Sequence, residues 1–436
     1  MQARIEAAIK RRSKKPGFNF SDAPDHRQEG KVTHEQKHIM NSLLLGLTAN
    51  KATLRDVEEM TKDLRLPFRA LVPTPISDTT LDTESRRLDI AYLTGKLVQQ
   101  VREDFRAKML KPVGLPCGVA TVDGKNLATL DHEAGGAGHV RSKDNEKWHR
   151  PKSAKGKEYF LVPALRAVLT SAETRPVIYQ QELPPETGEA TSLCELVDNL
   201  HRCYGRSEML ELIDGDAGLI SLKNANHING LGYMYLFGLK GNQAELFEEA
   251  RRLLEPQTDD YPPEAETQWE RREGRRIRRR LWRTNEMVGI ENSVGKWTHL
   301  RQTWLVRQET EHRNGTVKVE DRYFVTSALW NYFKPDQILA LVRNHWRVEN
   351  DCFNSLDVQW REDSGIWCTK DNAVLGLSLL RVMAYNLVQM LRRRRLRRKT
   401  EEGKYVEPLN WRSLFKAIML TLETALDSEE ATLAAN

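Results

Sequence analysis

Residues 117–124 read CGVATVDG, a short run of apolar and β-branched residues that ends in an Asp-Gly turn. A run of this kind, bounded by turn residues, predicts a buried strand. Four further segments carry the same signal, at 159–169, 176–183, 209–213 and 233–239. Helical periodicity separates the later strands, at 190–204 and 219–230. Strands that alternate with helices predict an α/β layer in which the central strands are parallel.

The residues before this layer predict helices. Residues 1–20 are basic and are predicted to be mobile. Apolar periodicity then predicts helices over 38–47, 52–64 and 84–109, with Thr53 as the N-cap of the second.

The residues after the layer predict a change of structure. Alternating strands over 299–307 and 317–326 flank Asn314-Gly315, a pair typical of a hairpin turn. Asp336 is predicted to cap a long helix that extends to Phe353. A last apolar helix is predicted over about 371–391.

Composition excludes several classes of protein. The chain has 436 residues, 39% of them apolar and 29% charged, which suits about three soluble domains of ~150 residues. No stretch approaches the ~18 uncharged apolar residues of a membrane span, and no secretory signal is recognised. Five cysteines without a C-x-x-C pair indicate a reducing cytoplasm rather than a disulfide scaffold. Cys194, His201 and Cys203 match no common zinc spacing.

The positive charge is concentrated in two short runs. The net charge is +6, but it becomes −8 (52 cations against 60 acids) without residues 271–283 and 392–399. These arginine-rich runs suit a phosphate backbone, because each neutralised phosphate releases a counterion. The alternative is a pair of solvated helical faces. The arginines taken as candidate DNA contacts are Arg275, Arg276, Arg278, Arg279, Arg280, Arg393, Arg394 and Arg395.

Three carboxylates suit metal-dependent phosphoryl chemistry. Asp123 ends a strand, Asp216 follows another, and Glu349 lies in a predicted helix. Carboxylates at the ends of adjacent strands, faced by one from a helix, can hold two Mg²⁺ ions about 4 Å apart. From spacing alone other readings stay open. Asp-Gly is a common turn, Asp216 can cap the next helix, and Glu349 can pair with Arg343 or Arg347.

Several motifs in a fixed order carry a family resemblance. They are FSDAPDHR at 20–27, GKV at 30–32, VDGK at 122–125, DA at 216–217, GLKGNQ at 238–243, RYFVTS at 322–327, NHWRVEN at 344–350, DV at 357–358 and RED at 361–363. With these motifs the sequence resembles bacterial insertion-sequence transposases of the DDE superfamily, of the H-repeat-associated type. The likeness extends from about residue 20 to 395.

The resemblance implies a fold and a domain plan. The fold is an α/β RNase H-like core, a mixed sheet with helices on its faces, interrupted by a mostly β insertion before the last catalytic helix and preceded by an N-terminal helical domain. The implied parts are a basic flexible N-terminus (1–20), a helical DNA-binding domain (21–112), the first part of the catalytic core (113–244), the β-rich insertion (245–334), the second part with the C-terminal helices and basic run (335–400), and a C-terminal tail (401–436).

The resemblance also implies a reaction. Asp123, Asp216 and Glu349 match the family's metal-binding acids, which would hold two Mg²⁺ or Mn²⁺ ions. The enzyme would cut DNA at the ends of an insertion sequence and join the 3′-hydroxyl ends to target DNA. Further candidates for DNA contact are Lys240, Asn242, Gln243, His345 and Arg347, and Lys31 with the N-terminal helices is a candidate for end recognition. For Lys240, Asn242 and Gln243 structural roles stay open.

The sequence departs from the family at several places. Related transposases often carry a Tyr and an Arg before the Glu and a Lys after it, where this chain has Val342, His345 and Leu356. Asp214 is a rival for the second acid, and Glu362 or Asp363 for the third. The loop over 126–138 also differs from the family and receives no assignment.

Two other functions remain open on the sequence alone. One is a transposase-derived DNA-binding protein whose catalytic centre has decayed, and the other is a metal-dependent nuclease without strand transfer. For the favoured reading we expect double-stranded DNA as the partner, no membrane, a homo-oligomer on paired ends, and a cytoplasmic, nucleoid-associated location.

Overall fold

A mixed sheet lies at the centre of the computed structural model. The structure describes residues 1–28, 30, 32–131, 159–184, 187–272, 274–287, 297, 299–362, 365, 367–370, 372–397, 400 and 406–423. Within these residues the sheet has ten strands: β1 (Val119–Asp131), β2 (Tyr159–Leu169), β3 (Val177–Glu182), β4 (Leu212–Gly215), β5 (Met234–Leu239), β6 (Ala265–Glu266), β7 (Glu270–Arg272), β8 (Arg275–Thr284), β9 (Gln302–Glu311) and β10 (Val317–Thr326).

The strand order brings β1 beside β4. The order is β3-β2-β1-β4-β5-β10-β9-β8-β6, and β7 pairs with β8. The pairs β1–β4 and β4–β5 are parallel, and the remaining pairs are antiparallel. This arrangement confirms the predicted parallel centre and the mixed RNase H-like sheet. Val122 pairs with Gly215, so Asp123, inside β1, and Asp216, directly after β4, are neighbours across the two strands. The prediction that Asp123 ends its strand in an Asp-Gly turn was wrong, because β1 continues in its pairing with β2 to Asp131.

Helices surround the sheet. They are α1 (Gln2–Ser13), α2 (Gln36–Thr48), α3 (Leu54–Lys62), α4 (Asp78–Ser85), α5 (Ile90–Arg106), α6 (Glu189–Tyr204), α7 (Leu222–Gly230), α8 (Ala244–Leu254), α9 (Gln257–Asp260), α10 (Pro335–His345), α11 (Asn354–Trp360), α12 (Ala373–Met390) and α13 (Trp411–Leu422). Two π-helical segments, Val348–Phe353 and Leu391–Arg395, follow α10 and α12.

Both faces of the sheet are covered, because alternate residues of a strand point to opposite sides. Val119 and Leu212 pack with Leu341 and Val342 of α10 in one apolar cluster. Ala120, Val122 and Ile213 face the other way, into a larger cluster that includes residues of α5, α6, α7 and α12. Helix α10 is therefore held on the face of the sheet that carries Asp123.

The predicted mobile N-terminus was wrong. Helix α1 buries Ile5, Ala8 and Ile9, and Arg12 forms an ion pair with Asp104 of α5. Its apolar stripe is short but meets α13, which lies some 400 residues later in the chain. The predicted helix over 84–109 begins later, at Ile90, because the side chain of Asp89 accepts the N–H of Tyr92 at 2.8 Å.

Local turn and cap signals were read correctly. The Thr53 hydroxyl caps α3, and Asp56 completes the capping box. Strands β9 and β10 form the predicted hairpin, with Gly315 at φ +81° in the turn. The predicted β-rich insertion contains β6–β10, which extend the same sheet through the pairing of β10 with β5. The domain boundaries stay predictions.

The long helix predicted from Asp336 to Phe353 is broken. Helix α10 begins at Pro335, with Lys334 in the N-cap position, because proline suits a first helical turn that needs no N–H donor. It ends at His345, and the chain continues as the π-helical segment Val348–Phe353 and then as α11. A π-helical turn changes the direction in which side chains point, which matters here because Glu349 lies in it.

Helix α12 confirms the last predicted apolar helix. Residues Ala373–Arg395 are long and apolar enough to pass a length and composition test for a membrane span, but the apolar window is entirely buried inside the protein. Arg381 and Asn386 lie within it and are buried. The helix is therefore packed as the core helix of a folded domain.

Candidate active site

The structure brings Asp123, Asp216 and Glu349 together. Asp123 lies in β1, Asp216 follows β4, and Glu349 lies in the π-helical segment after α10. Burial raises the pKa of Asp123 to about 7, with further contributions from the negative charges of Asp216 and Glu349. The positive charge of His345 and a hydrogen bond from the Gly124 N–H (2.8 Å) act in the opposite direction. The three acids form one electrostatic unit.

A cavity opens beside these acids. It has a volume of about 300 Å³, and its lining includes Asp216, Glu349, Lys240, Arg322 and His345. The backbone N–H groups of Gly218 and Leu219 fix one oxygen of Asp216, at 2.9 and 3.2 Å. Glu349 is exposed. A phosphate group entering the cavity would meet both carboxylates and cations.

Asp214, the alternative candidate for the second acid, has hydrogen-bond partners of its own inside the protein. Its carboxylate is 1% exposed and accepts a hydrogen bond from the Thr121 hydroxyl at 2.8 Å. Nδ1 of His345 lies 3.0 Å from its Oδ2. Burial opposes the charge on His345, but Asp214 outweighs it and, with Asp123 and Asp216, raises the pKa of His345 to about 9. Asp214 therefore pairs with a protonated histidine. Asp216 is the better candidate for the second acid.

Glu362, a rival for the third acid, is also committed. Its two oxygens lie 2.5 and 2.6 Å from Arg166, and both side chains are fully buried. The Ser378 hydroxyl of α12 donates to the same carboxylate at 3.1 Å. A carboxylate enclosed in this way has no oxygen left for an ion. Asp363, the other rival, lies outside the described residues.

The donor chemistry fits Mg²⁺ or Mn²⁺, because these ions bind carboxylate oxygens. In the part of the chain that the structure describes, however, no three His, Cys, Asp or Glu side chains stand close enough to form a ready metal site. The interaction that links the acids is that of their charges. Their role as ligands stays a prediction.

Comparison with known proteins decides the family. Residues 118–387, more than half of the chain, match the family model described as the transposase DDE domain. The chain belongs to the DDE transposase family. The motif resemblance is thereby confirmed at the level of the superfamily, while the H-repeat-associated type stays a prediction. Members of the family generally use divalent metal ions and bind DNA.

One curated relative was also found. The chain is 28% identical over 157 residues to the "uncharacterized protein in dhlA 3′ region" of Xanthobacter autotrophicus. The aligned part covers 36% of this chain and 50% of that protein, so the chain spans about half the length of the relative. The name of that protein carries no activity, so the likeness adds a relative and no function.

In this DDE transposase, two residues predicted to contact DNA, Asn242 and Gln243, make hydrogen bonds inside the protein. Asn242 donates to the Ala217 carbonyl at 2.6 Å, and Gln243 donates to the Ile220 carbonyl at 3.5 Å. Both side chains thereby support the loop that carries Asp216. Lys240 is exposed and lines the cavity, which keeps it as a candidate for phosphate contact.

The arginine run of β8 faces acids of β9. Arg278 lies 2.7 Å and Arg276 3.0 Å from a glutamate of that strand, and Arg280 also forms an ion pair there. Arg279 donates to Gln308 at 3.1 Å. Arg275 is exposed. The sequence did not reveal these pairs because the acids, Glu309 and Glu311, lie about 30 residues further along the chain.

The second run follows α12. Arg393 donates to Gln389 at 3.2 Å, Arg394 lies 3.7 Å from Glu173, and Arg395 is exposed. Arg398 and Lys399 lie outside the described residues, as does Lys31. Contact of both runs with DNA stays a prediction.

Of the three positions at which the sequence departs from the family, two are buried and one lines the cavity. Val342 and Leu356 are fully buried in apolar clusters, so neither can meet a phosphate. His345 lines the cavity with its charge held by Asp214. Sequence reasoning missed Arg322, which lines the cavity and lies 4.1 Å above the Trp346 ring. Its position at the start of the RYFVTS motif was the available signal.

Proposed function

We propose that this DDE transposase cuts DNA at insertion-sequence ends and joins the 3′-hydroxyl ends to target DNA. Asp123, Asp216 and Glu349 would hold two Mg²⁺ or Mn²⁺ ions. The observation that supports the proposal is geometric: the parallel pairing of Val122 with Gly215 sets Asp123 beside Asp216, and Asp216 and Glu349 line the same cavity. The raised pKa of Asp123, to which the charges of Asp216 and Glu349 contribute, agrees with this arrangement. The cavity beside them is large enough for a phosphodiester group.

When bound, the two ions would make the attacking oxygen more nucleophilic and stabilise the charge on the leaving oxygen. Residues of the chain would attract the phosphate and place a positive charge beside the acids. Lys240 and Arg322 line the cavity with positive charge, which favours entry of a phosphate. Asp214 fixes His345 and keeps its charge beside Asp123 and Asp216. His345 would therefore take part of the electrostatic role that an arginine has in related transposases.

A decayed, DNA-binding descendant is the second candidate function. The observation that favours it is the burial of Val342 and Leu356, where related enzymes often carry a Tyr and a Lys. A nuclease that cuts without joining is a third candidate, because it would use the same acids. For all three the partner is double-stranded DNA and the location is the cytoplasm, on the nucleoid. Pairing of two ends would require an oligomer.

The test uses a supercoiled plasmid that carries this reading frame with its native flanking DNA. Wild-type protein should nick it with Mg²⁺ and not with EDTA, and should transfer the cut ends to a second plasmid. Asp216→Ala should abolish both steps while binding end DNA as before. Asp260→Asn, an exposed acid at the end of α9, is the matched control and should cut normally. Full cutting by Asp216→Ala would overturn the assignment, and cutting without transfer would support the nuclease.

A further inference from the structure

A cleft lined by cations lies where α1, α5 and the π-helical segment after α12 meet. It has a volume of about 430 Å³. Its lining contains Arg11 and Arg12 of α1, Lys15 just after that helix, Arg106 at the end of α5, and Arg395 at the end of the π-helical segment. Helix α1 packs directly against the π-helical segment, so the fold joins cations from opposite ends of the chain.

Arg12 is the one member of this lining with an ion pair among the described residues. It pairs with Asp104 of α5, and its Nη1 lies 3.8 Å from Oε2 of Glu103. Its guanidinium also lies 5.7 Å from the centre of the Phe18 ring. Arg12 therefore holds α1 against α5. The other four cations are exposed and form no ion pair or side-chain hydrogen bond within the described part of the chain; we call them the basic cleft: Arg11, Lys15, Arg106 and Arg395.

Glu103, the acid in this lining, does not present its oxygens to a ligand. Its Oε1 accepts the N–H of Gly17 at 2.9 Å, and its Oε2 is buried beside Arg12. Burial raises the pKa of Glu103, so its charged form is disfavoured. The carboxylate therefore neutralises little of the charge of the basic cleft.

The helices that end at the cleft account for only part of its positive charge. Each helix C-terminus carries the equivalent of about half a negative charge, which cations in the last turn offset. Three such ends supply about one and a half negative charges. The five cations of the lining exceed Glu103 and Asp104 by three charges, so an excess remains. In agreement, partial burial lowers the pKa of Arg395, and the charges of Arg11 and Arg12 contribute in the same direction.

We propose that the basic cleft binds the phosphate backbone of double-stranded DNA. The site is separate from the cavity beside the three acids, because the two linings share no residue. Exposed cations gain little from one small anion, since water and salt screen the pair. A DNA backbone releases a counterion for each phosphate that is neutralised, so an extended polyanion fits this cleft better than free phosphate. The inference rests on the proposed function only in taking DNA as the substrate.

The test measures how DNA binding depends on salt. Arg11→Gln and Arg395→Gln each remove one cation from the basic cleft. Lys10→Gln is the matched control, because Lys10 precedes Arg11 in α1, lies 3.3 Å from Glu6 and does not line the cleft. The dissociation constant for a short DNA duplex is measured by fluorescence anisotropy in EDTA at several salt concentrations. Each lost phosphate contact lowers the slope of log affinity against log salt by about 0.9.

We expect this loss of slope for each cleft variant, about twice the loss for the double variant, and no change for Lys10→Gln. The melting temperatures should stay close to that of the wild type, because both substitutions change exposed side chains. A loss of slope would then report a lost contact and not an unfolded protein. A wild-type slope in the double variant, or an equal loss in Lys10→Gln, would overturn the proposal.

Two other occupants of the cleft are distinguished by the double variant. Inorganic phosphate is titrated into wild type and double variant in a calorimeter. Saturable binding that the double variant loses, with an unchanged DNA slope, would overturn the proposal, since the site would then serve a free anion. A wild-type dimer at low salt that the double variant abolishes, again with an unchanged DNA slope, would overturn it in favour of a contact between two copies of the chain.

Failure of this proposal is distinguishable from failure of the proposed function. The salt dependence is measured without metal, so it needs no cleavage. Asp216→Ala should keep the wild-type slope while it loses cutting. Loss of slope in Arg11→Gln with an enzyme that never cuts would support the basic cleft and count against catalysis.

Discussion

Nδ1 of His345 lies 3.0 Å from Oδ2 of Asp214, and this contact fastens the end of α10 to β4. Asp214 stands two residues before Asp216, and His345 stands four residues before Glu349. The pair therefore fixes the separation between the strand that carries one proposed catalytic acid and the segment that carries another. A buried residue that looks like a catalytic acid in the sequence acts here as a positioning residue.

This pair makes stability depend on pH. The folded-state pKa of His345 is raised from 6.5 to about 9, so its contribution is present below pH 6.5 and lost as the pH rises through 9. The shift corresponds to about 3 kcal/mol. Urea unfolding at pH 6 and pH 9.5 should show a stability difference between wild type and His345→Gln that shrinks by about this amount. His227→Gln is the control, and equal differences for His345→Gln at both pH values would contradict the account.

Asp123 should destabilise the fold at neutral pH. Its folded-state pKa is raised from 3.8 to about 7, so its ionised form is disfavoured and stability is lost as the pH rises through 7. In EDTA, Asp123→Asn should therefore be more stable than wild type at pH 8, by up to about 4 kcal/mol, and nearly equal to it at pH 4. The same variant should not cut DNA. If Asp123→Asn were no more stable than wild type at pH 8, burial and the charges of Asp216 and Glu349 would not be raising the pKa of Asp123.

Glu349 and Glu362 should separate catalysis from stability. Glu362→Gln leaves Arg166 as a buried charge without its partner, which typically costs about 3–5 kcal/mol. Glu349→Gln changes an exposed side chain and should leave the free energy of unfolding within about 0.5 kcal/mol of wild type. Urea unfolding measures both. Only Glu349→Gln should abolish metal-dependent nicking per folded molecule, and the opposite pattern would make Glu362 the third acid.

The arginines of β8 should differ in their effect on DNA binding. Arg278 is paired with Glu309, so Arg278→Gln should change the salt dependence of binding little. Arg275 is exposed, and within the described residues it forms no ion pair, so Arg275→Gln should lower the slope by about 0.9. Anisotropy titrations in EDTA compare the two. Equal slopes for both variants would remove β8 from the DNA-binding surface.

Features of the fold that depend on neighbouring residues could be predicted from the sequence. The Thr53 cap and the Asn314-Gly315 turn are set by a few adjacent residues, and both were correct. The alternation of strands and helices predicted the parallel pairs β1–β4 and β4–β5. It did not predict that β1 continues through Asp123 to Asp131, because that extension depends on pairing with β2.

Features that depend on distant partners could not be predicted. The packing of α1 needs α13, and the neutralisation of Arg278 needs Glu309 from another strand. The choice between Asp214 and Asp216 needs His345, which lies 131 residues after Asp214. The end of α10 at His345 was also not predicted, because the apolar pattern from Ile338 to Phe353 suits a continuous helix as well as a helix followed by a π-helical segment.

The titration of Asp123 tests the central claim most directly. Its carboxyl carbon can be followed by NMR in metal-free protein labelled with ¹³C-aspartate, assigned with Asp123→Asn. The account predicts a pKa of about 7 in the wild type, and a lower value in both Glu349→Gln and Asp216→Asn. A wild-type pKa near 3.8, or one that neither substitution moves, would contradict the convergence of the three acids.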